Sequence, residues 1–106
     1  MTIGIHSAIL SFKRAMKKFV WDDEKSKKLR EERGVDFEDI VILIEGGFVL
    51  AMIDHPNKGR YPDQKIYVIN VNSYAYCVPC IESEQSVRLI TIFPSREYTK
   101  IYLGGH

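Results

Sequence analysis

The chain has 106 residues, 45% of them hydrophobic, 27% charged and 11% aromatic, with a formal net charge of +1. That length supports one domain with a modest core and excludes dehydrogenase, kinase and eight-stranded α/β-barrel folds, which need far longer chains. High apolar content at near-zero net charge argues against disorder, no run of about 20 apolar residues offers a membrane span, and His6 with Lys13-Arg14 interrupts any signal-like segment, so a cytoplasmic protein is expected.

Residues 3–15 show helical spacing, with Ile5, Ile9, Phe12 and Met16 three or four apart, so residues 1–15 are expected to be a helical extension ahead of a single domain over residues 16–106. Lys17-Lys18-Phe19-Val20-Trp21 reads as a short strand or an extended entry. Asp22 or Asp23 caps a very polar helix over residues 24–32, stopped by Gly34, and Asp36 caps a second helix over residues 37–45 that carries Phe37, Ile40, Val41 and Ile44 on one stripe. After Gly46-Gly47 the periodicity changes. Residues 48–53 form a β-rich run, and residues 54–63, with two prolines, Asn57 and Gly59, form a loop. Strands follow over residues 65–71, 74–81 and 87–93, separated by Asn72-Ser73 and by the acidic residues 82–85, and Ser95 caps a last helix over residues 96–103. The short connections imply an antiparallel meander. The expected fold is α+β, with N-terminal helices on one face of a curved, mainly antiparallel four-stranded sheet and a short C-terminal helix.

The charges divide unevenly: nine Lys or Arg against five Asp or Glu up to Gly34, then six against nine. Such a division marks either one basic face for an anionic partner or a solvated amphipathic helix. Cys77-Val78-Pro79-Cys80 has the spacing of a redox dithiol or half a zinc site. It lies inside an apolar strand, however, where residues three apart point to opposite faces, so two buried, unpaired thiols are expected. His55 is either a general base or an unoccupied loop histidine. No metal triad, Gly-rich phosphate loop or Ser/His/Asp order appears, and no cofactor is expected.

The cations of the second half are Arg60, Lys65, Arg88 and Arg96. Arg88 interrupts an apolar strand and must meet an anion or open onto a concave surface; alternation puts it on a face with Ile90 and Ile92, opposite Val87 and Leu89. Metal-free RNA cleavage needs help for the attacking 2′-hydroxyl, cations around the phosphorane and an acid for the leaving oxygen, and Arg, Lys, Tyr and Ser can supply them. Tyr67, Tyr74 and Tyr76 would add stacking platforms.

Phe19-Val20-Trp21-Asp22-Asp23-Glu24-Lys25 and, after a charged helix, Gly34-Val35-Asp36-Phe37-Glu38-Asp39 resemble the opening of BrnT-type toxins, and Val87-Arg88-Leu89-Ile90-Thr91 is similar to that family's Ile-Arg-Ile-Ile-Ser strand. The likeness runs from Lys17 to Leu103. The family's Lys-His-Gly is Glu32-Arg33-Gly34 here, and its arginine after the strand aligns with Phe93, with Arg96 the nearest substitute. The resemblance implies a RelE-like fold, a ribonuclease that arrests translation, and a cognate antitoxin that neutralises it and supplies most of the DNA contact of their complex.

The expectation is therefore the toxin component of a type II toxin–antitoxin pair, a metal-independent RNA endonuclease. Arg88 would stabilise the scissile phosphate, with Lys65, Arg96 and Arg33 as further cations and Tyr98 or Tyr102 as acid, base or stacking group. Lys25, Lys28, Arg60, Tyr67 and Tyr76 would bind RNA. DNA would be met only through the antitoxin, and an unpaired sheet edge or the N-terminal helix can form a homodimer contact. The alternatives are a non-catalytic interaction module of the same fold and, less favoured, a redox protein built on the two cysteines.

Overall fold

A computed structural model describes residues 17–104, so the expected helix over residues 3–15, with Met16 and His106, lies outside the described residues. The elements in chain order are β1 (Lys18–Val20), α1 (Asp23–Arg33), α2 (Phe37–Glu45), β2 (Val49–Asp54), β3 (Gln64–Val71), β4 (Tyr74–Glu82), β5 (Ser86–Leu89), β6 (Phe93–Pro94) and α3 (Arg96–Leu103).

Each helix begins and ends where its capping chemistry dictates. The Asp22 carboxylate accepts the Lys25 N–H at 3.1 Å, and α1 ends at Gly34, whose φ of 73° suits a residue without Cβ. Asp36 and Asp39 form a reciprocal capping box at the start of α2. Arg30 then ties the two helices together: Nη2 lies 2.6 Å from Asp39 and 3.1 Å from Asp36, and Nη1 donates to the Gly34 carbonyl. Inside the corner, the buried Ser26 hydroxyl accepts the Phe37 N–H at 3.1 Å.

The sheet has the order β1-β5-β4-β3-β2, with β6 also beside β4, and every pairing is antiparallel except the parallel β1–β5 contact. Among the described residues it thus holds six strands rather than four. Two come from the parallel N-terminal strand and from a break in the expected strand over residues 87–93. The break has a chemical cause at Pro79. Its carbonyl accepts the Ile90 N–H at 2.9 Å, but a proline has no N–H to return across the same pair. The ladder stops there, one extra residue is accommodated around Ile90 and Thr91, and pairing resumes at Cys77–Phe93. Arg33 donates to the freed Ile92 carbonyl at 2.6 Å.

Register sorts the side chains onto two faces. Ile69, Val78, Cys80, Val87, Leu89 and Ile92 meet Leu29, Val35, Phe37 and Ile40 of the α1–α2 unit in one core cluster. Ile66, Val68, Ala75 and Cys77 form a second cluster with Tyr98 and Leu103 of α3. The helices therefore cover both faces of the sheet, not one. Because of the extra residue, Ile92 turns into the α1–α2 core, away from the face that Arg88 occupies. On the other side, the buried Thr99 hydroxyl accepts the Ala75 N–H at 2.9 Å and donates to the Ser95 carbonyl at 2.7 Å, fixing α3 to β4.

Candidate functional site

The helix α3 is only eight residues long and covers one end of its face. At the other end the cross-strand partners Gln64, Ile81 and Arg88 share that face with Val20, and Ile81 and Val20 are 38% and 37% exposed. His55 extends the same row, because its N–H bonds to the Gln64 carbonyl at 3.1 Å and continues the β2–β3 register. The result is an open band across the sheet, His55–Gln64–Ile81–Arg88. Three inter-strand steps of about 4.8 Å place the His55 and Arg88 backbones roughly 14 Å apart.

Arg88 is exposed and makes no ion pair among the described residues, so its five guanidinium donors face solvent. The loop after β2 is held by its own bonds: Asn57 Oδ1 accepts the Arg60 N–H, the Asn57 carbonyl accepts the Tyr61 N–H, and Lys58 pairs with Asp54 at 2.9 Å. Within it, the His55 and Tyr61 rings stand 4.5 Å apart, and the Arg60 guanidinium sits 5.5 Å from the Tyr61 centroid. His55 Nδ1 accepts the Asn57 N–H at 3.0 Å, which places the proton of the neutral ring on Nε2. His55 therefore offers a donor rather than a free lone pair, in place of the general base considered from the sequence.

The other expected site residues scatter. Lys65 lies opposite Asp54 and Cys80 on the α1–α2 face, so it and Arg88 stand on opposite sides of the sheet. Tyr67 and Tyr76 share that face and pack against its core. Lys25 and Lys28 are exposed on α1 among Asp22, Glu24 and Glu31, and Arg33 of the same helix is engaged by Ile92. Arg96 begins α3. The Ser95 N–H bonds to the Ala75 carbonyl, six positions along β4 from Ile81, which puts Arg96 roughly 20 Å from the Arg88 pair at strand rise. Tyr98 packs into the α3-side core with Tyr102 beside it, ring centroids 6.0 Å apart, and burial raises the Tyr98 phenol above its ordinary value.

Comparison with protein families, with characterised proteins and with solved structures finds no match. Of the residues considered from the sequence, the site's geometry keeps Arg88 at one end of the band and His55 at the other, with Arg60 beside His55 through Tyr61, and it adds Gln64 and Tyr61. Gln64 was missed because a lone glutamine at a strand start carries no chemical signature. The two-residue Asn72-Ser73 turn was the usable signal, since it sets Gln64 opposite Ile81.

Cys77 and Cys80 face opposite sides of β4, and both are buried and free. They cannot meet without breaking the strand.

Proposed function

We propose that the chain is a metal-independent RNA endonuclease, the toxin component of a type II toxin–antitoxin pair with a RelE-like fold, centred on the open band of the α3 face. The observation that carries the reading is Arg88, exposed and without an ion pair among the described residues, in one row with Gln64 and His55. Such a row presents a guanidinium, an amide and an imidazole N–H to a polyanion lying across the strands. The resemblance of the Arg88 strand and of the α1–α2 corner to BrnT-type toxins points the same way.

In this reaction the 2′-oxygen attacks the adjacent phosphorus and the 5′-oxygen leaves, giving a 2′,3′-cyclic phosphate and a free 5′-hydroxyl. The proton released by the 2′-hydroxyl is relayed by solvent, because the row holds no free base, and ends on the 5′-oxygen, so no water is consumed. Arg88 offsets the charge that develops on the equatorial oxygens of the phosphorane, and the His55 Nε2–H donates a hydrogen bond to them. Arg60, stacked on Tyr61, holds the strand beyond the scissile bond. Lys65, on the far face, has no part in this step. Neutralisation by a cognate antitoxin follows if its chain covers the same band.

The test is cleavage of mixed cellular RNA by the purified chain, with and without EDTA. Cleavage should survive EDTA and fall about 10²–10³-fold in Arg88→Ala, the loss typical of removing one oxyanion donor, while Lys65→Ala should cleave like wild type. Wild-type rates in Arg88→Ala would overturn the assignment.

A second reading is a non-catalytic module that binds RNA or a partner on this band. It is favoured by the engaged Nδ1 of His55, which leaves the row rich in donors and without a base. Folded protein that retains RNA on a filter but never cleaves it would decide for this reading.

A further inference from the structure

Among the described residues the sheet ends on one side at β1, three residues long and carrying Lys18, and on the other at β2. The sequence of β2, Val-Leu-Ala-Met-Ile-Asp, has no proline and no lysine, so it lacks the usual guards of an edge strand. The bulge between Val49 and Ala51 disturbs only its start, and Ala51–Asp54 run in regular register against β3. Because His55 donates to Gln64, alternation along this ladder turns the backbone N–H and C=O of Met52 and Asp54 away from β3, toward the open edge. Exposed apolar side chains accompany that edge: Phe48, directly before the strand, at 49% and Met52, within it, at 36%. The Phe48 ring lies over Gly46, 3.4 Å from where a Cβ would stand.

We infer that β2 pairs antiparallel with β2 of a second copy of this chain, joining the two sheets about a two-fold axis normal to them at Met52. An axis in that direction keeps each face continuous, so paired residues must share a face. Met52 then lies opposite Met52, with both its outward backbone groups bonded, and Ala51 lies opposite Ile53 on the α3 face. Charge selects this occupant. Between Gly46 and Ile53 the chain has no charged residue, so a nucleic acid or a charged peptide finds no counter-charge. Self-pairing brings no like charges together, because Asp54 falls opposite Leu50 and is already paired with Lys58. The contact is independent of the RNA reading, and its test reads mass rather than cleavage.

The experiment is light-scattering mass over a concentration series. Wild type should rise to twice 12.3 kDa. Met52→Lys and Met52→Glu should each stay at the single-chain mass, since each sets two like charges directly across the dyad, and an equal mixture of the two should recover the double mass. Met52→Pro removes only an N–H that β3 does not use, so it should keep the native circular dichroism and remain a monomer. Wild type that stays monomeric, a Met52→Lys or Met52→Pro protein that still doubles its mass, or two charge variants that do not recover on mixing would each overturn the proposal.

Discussion

Replacing Thr99 by valine tests how α3 is attached to the sheet. Thr99 is 1% exposed. Its hydroxyl accepts from the buried Ala75 N–H at 2.9 Å and donates to the Ser95 carbonyl at 2.7 Å. Valine has nearly the same shape and helix propensity, so packing and local preference cancel to first order and the hydrogen bonds remain as the difference. The two bonds are not equivalent. The Ser95 carbonyl keeps the Thr99 N–H at 3.1 Å, whereas the Ala75 N–H loses its acceptor inside the core. An orphaned buried donor costs about 1–3 kcal/mol, and a central value of about 2 kcal/mol lowers the melting temperature of a domain this size by roughly 8–16 °C. Thr99→Ser keeps both bonds and loses one methyl, about 1 kcal/mol. Urea unfolding of the three proteins, with unchanged slope, measures both values. If the valine variant were as stable as the serine variant, the Ala75 N–H would have another acceptor and the reasoning would fail.

Three further predictions follow from single observations. Ser26→Ala leaves the Phe37 N–H without its 3.1 Å acceptor and should cost about 1–2 kcal/mol by urea unfolding, although Ser26 itself is a small polar residue on a charged helix. Ser73 holds φ at +69° in the β3–β4 turn; Ser73→Gly should stabilise by about 0.5–1 kcal/mol, the left-handed penalty less the freedom that glycine adds to the unfolded chain. Burial pushes the Cys77 and Cys80 thiols from about 9 up to about 11. The unfolded chain therefore loses these protons first, so their contribution is whole below about pH 9 and is lost as pH rises toward 11. The double variant Cys77→Ala/Cys80→Ala should show a flatter stability profile over that window, and the native thiols should resist iodoacetamide at neutral pH.

Much of the fold was legible because its signals are local. Asp22, Gly34, Asp36 and Ser95 stand at helix ends and can be read one at a time, and the structure places the helix boundaries within a residue of those expectations. The same holds for the hairpin at Asn72-Ser73, whose two residues both have positive φ. The break between β5 and β6 was not legible from residues 87–93 themselves, because its cause lies on the neighbouring strand: Pro79 withholds one donor, and the strand opposite bends. The covering of both faces was also hidden. Tyr98 and Leu103 look like any apolar pair on a short helix, and only the parity of Ala75 and Cys77 on β4 decides which side α3 takes.

The site shows the same limit more sharply. Alternation within one strand tells which residues share a face, but not how that face relates to the next strand; a slip of one residue inverts the relation. Lys65 and Arg88 are both cations on inner strands, so the sequence alone permits them to converge. The chain of partners Lys65–Cys80–Leu89 and Gln64–Ile81–Arg88 separates them, because each set occupies one face. That parity removes Lys65 from the band and admits His55, whose value as a ligand depends on standing at the end of β2 and not on its place in the loop sequence. A phosphate chain crossing the band would then be met by one fixed imidazole donor and one freely oriented guanidinium. Affinity for it should therefore depend on salt mainly through Arg88 and Arg60. Removing Arg88 should lower the salt slope of RNA binding by about one, and removing Lys65 should leave it unchanged.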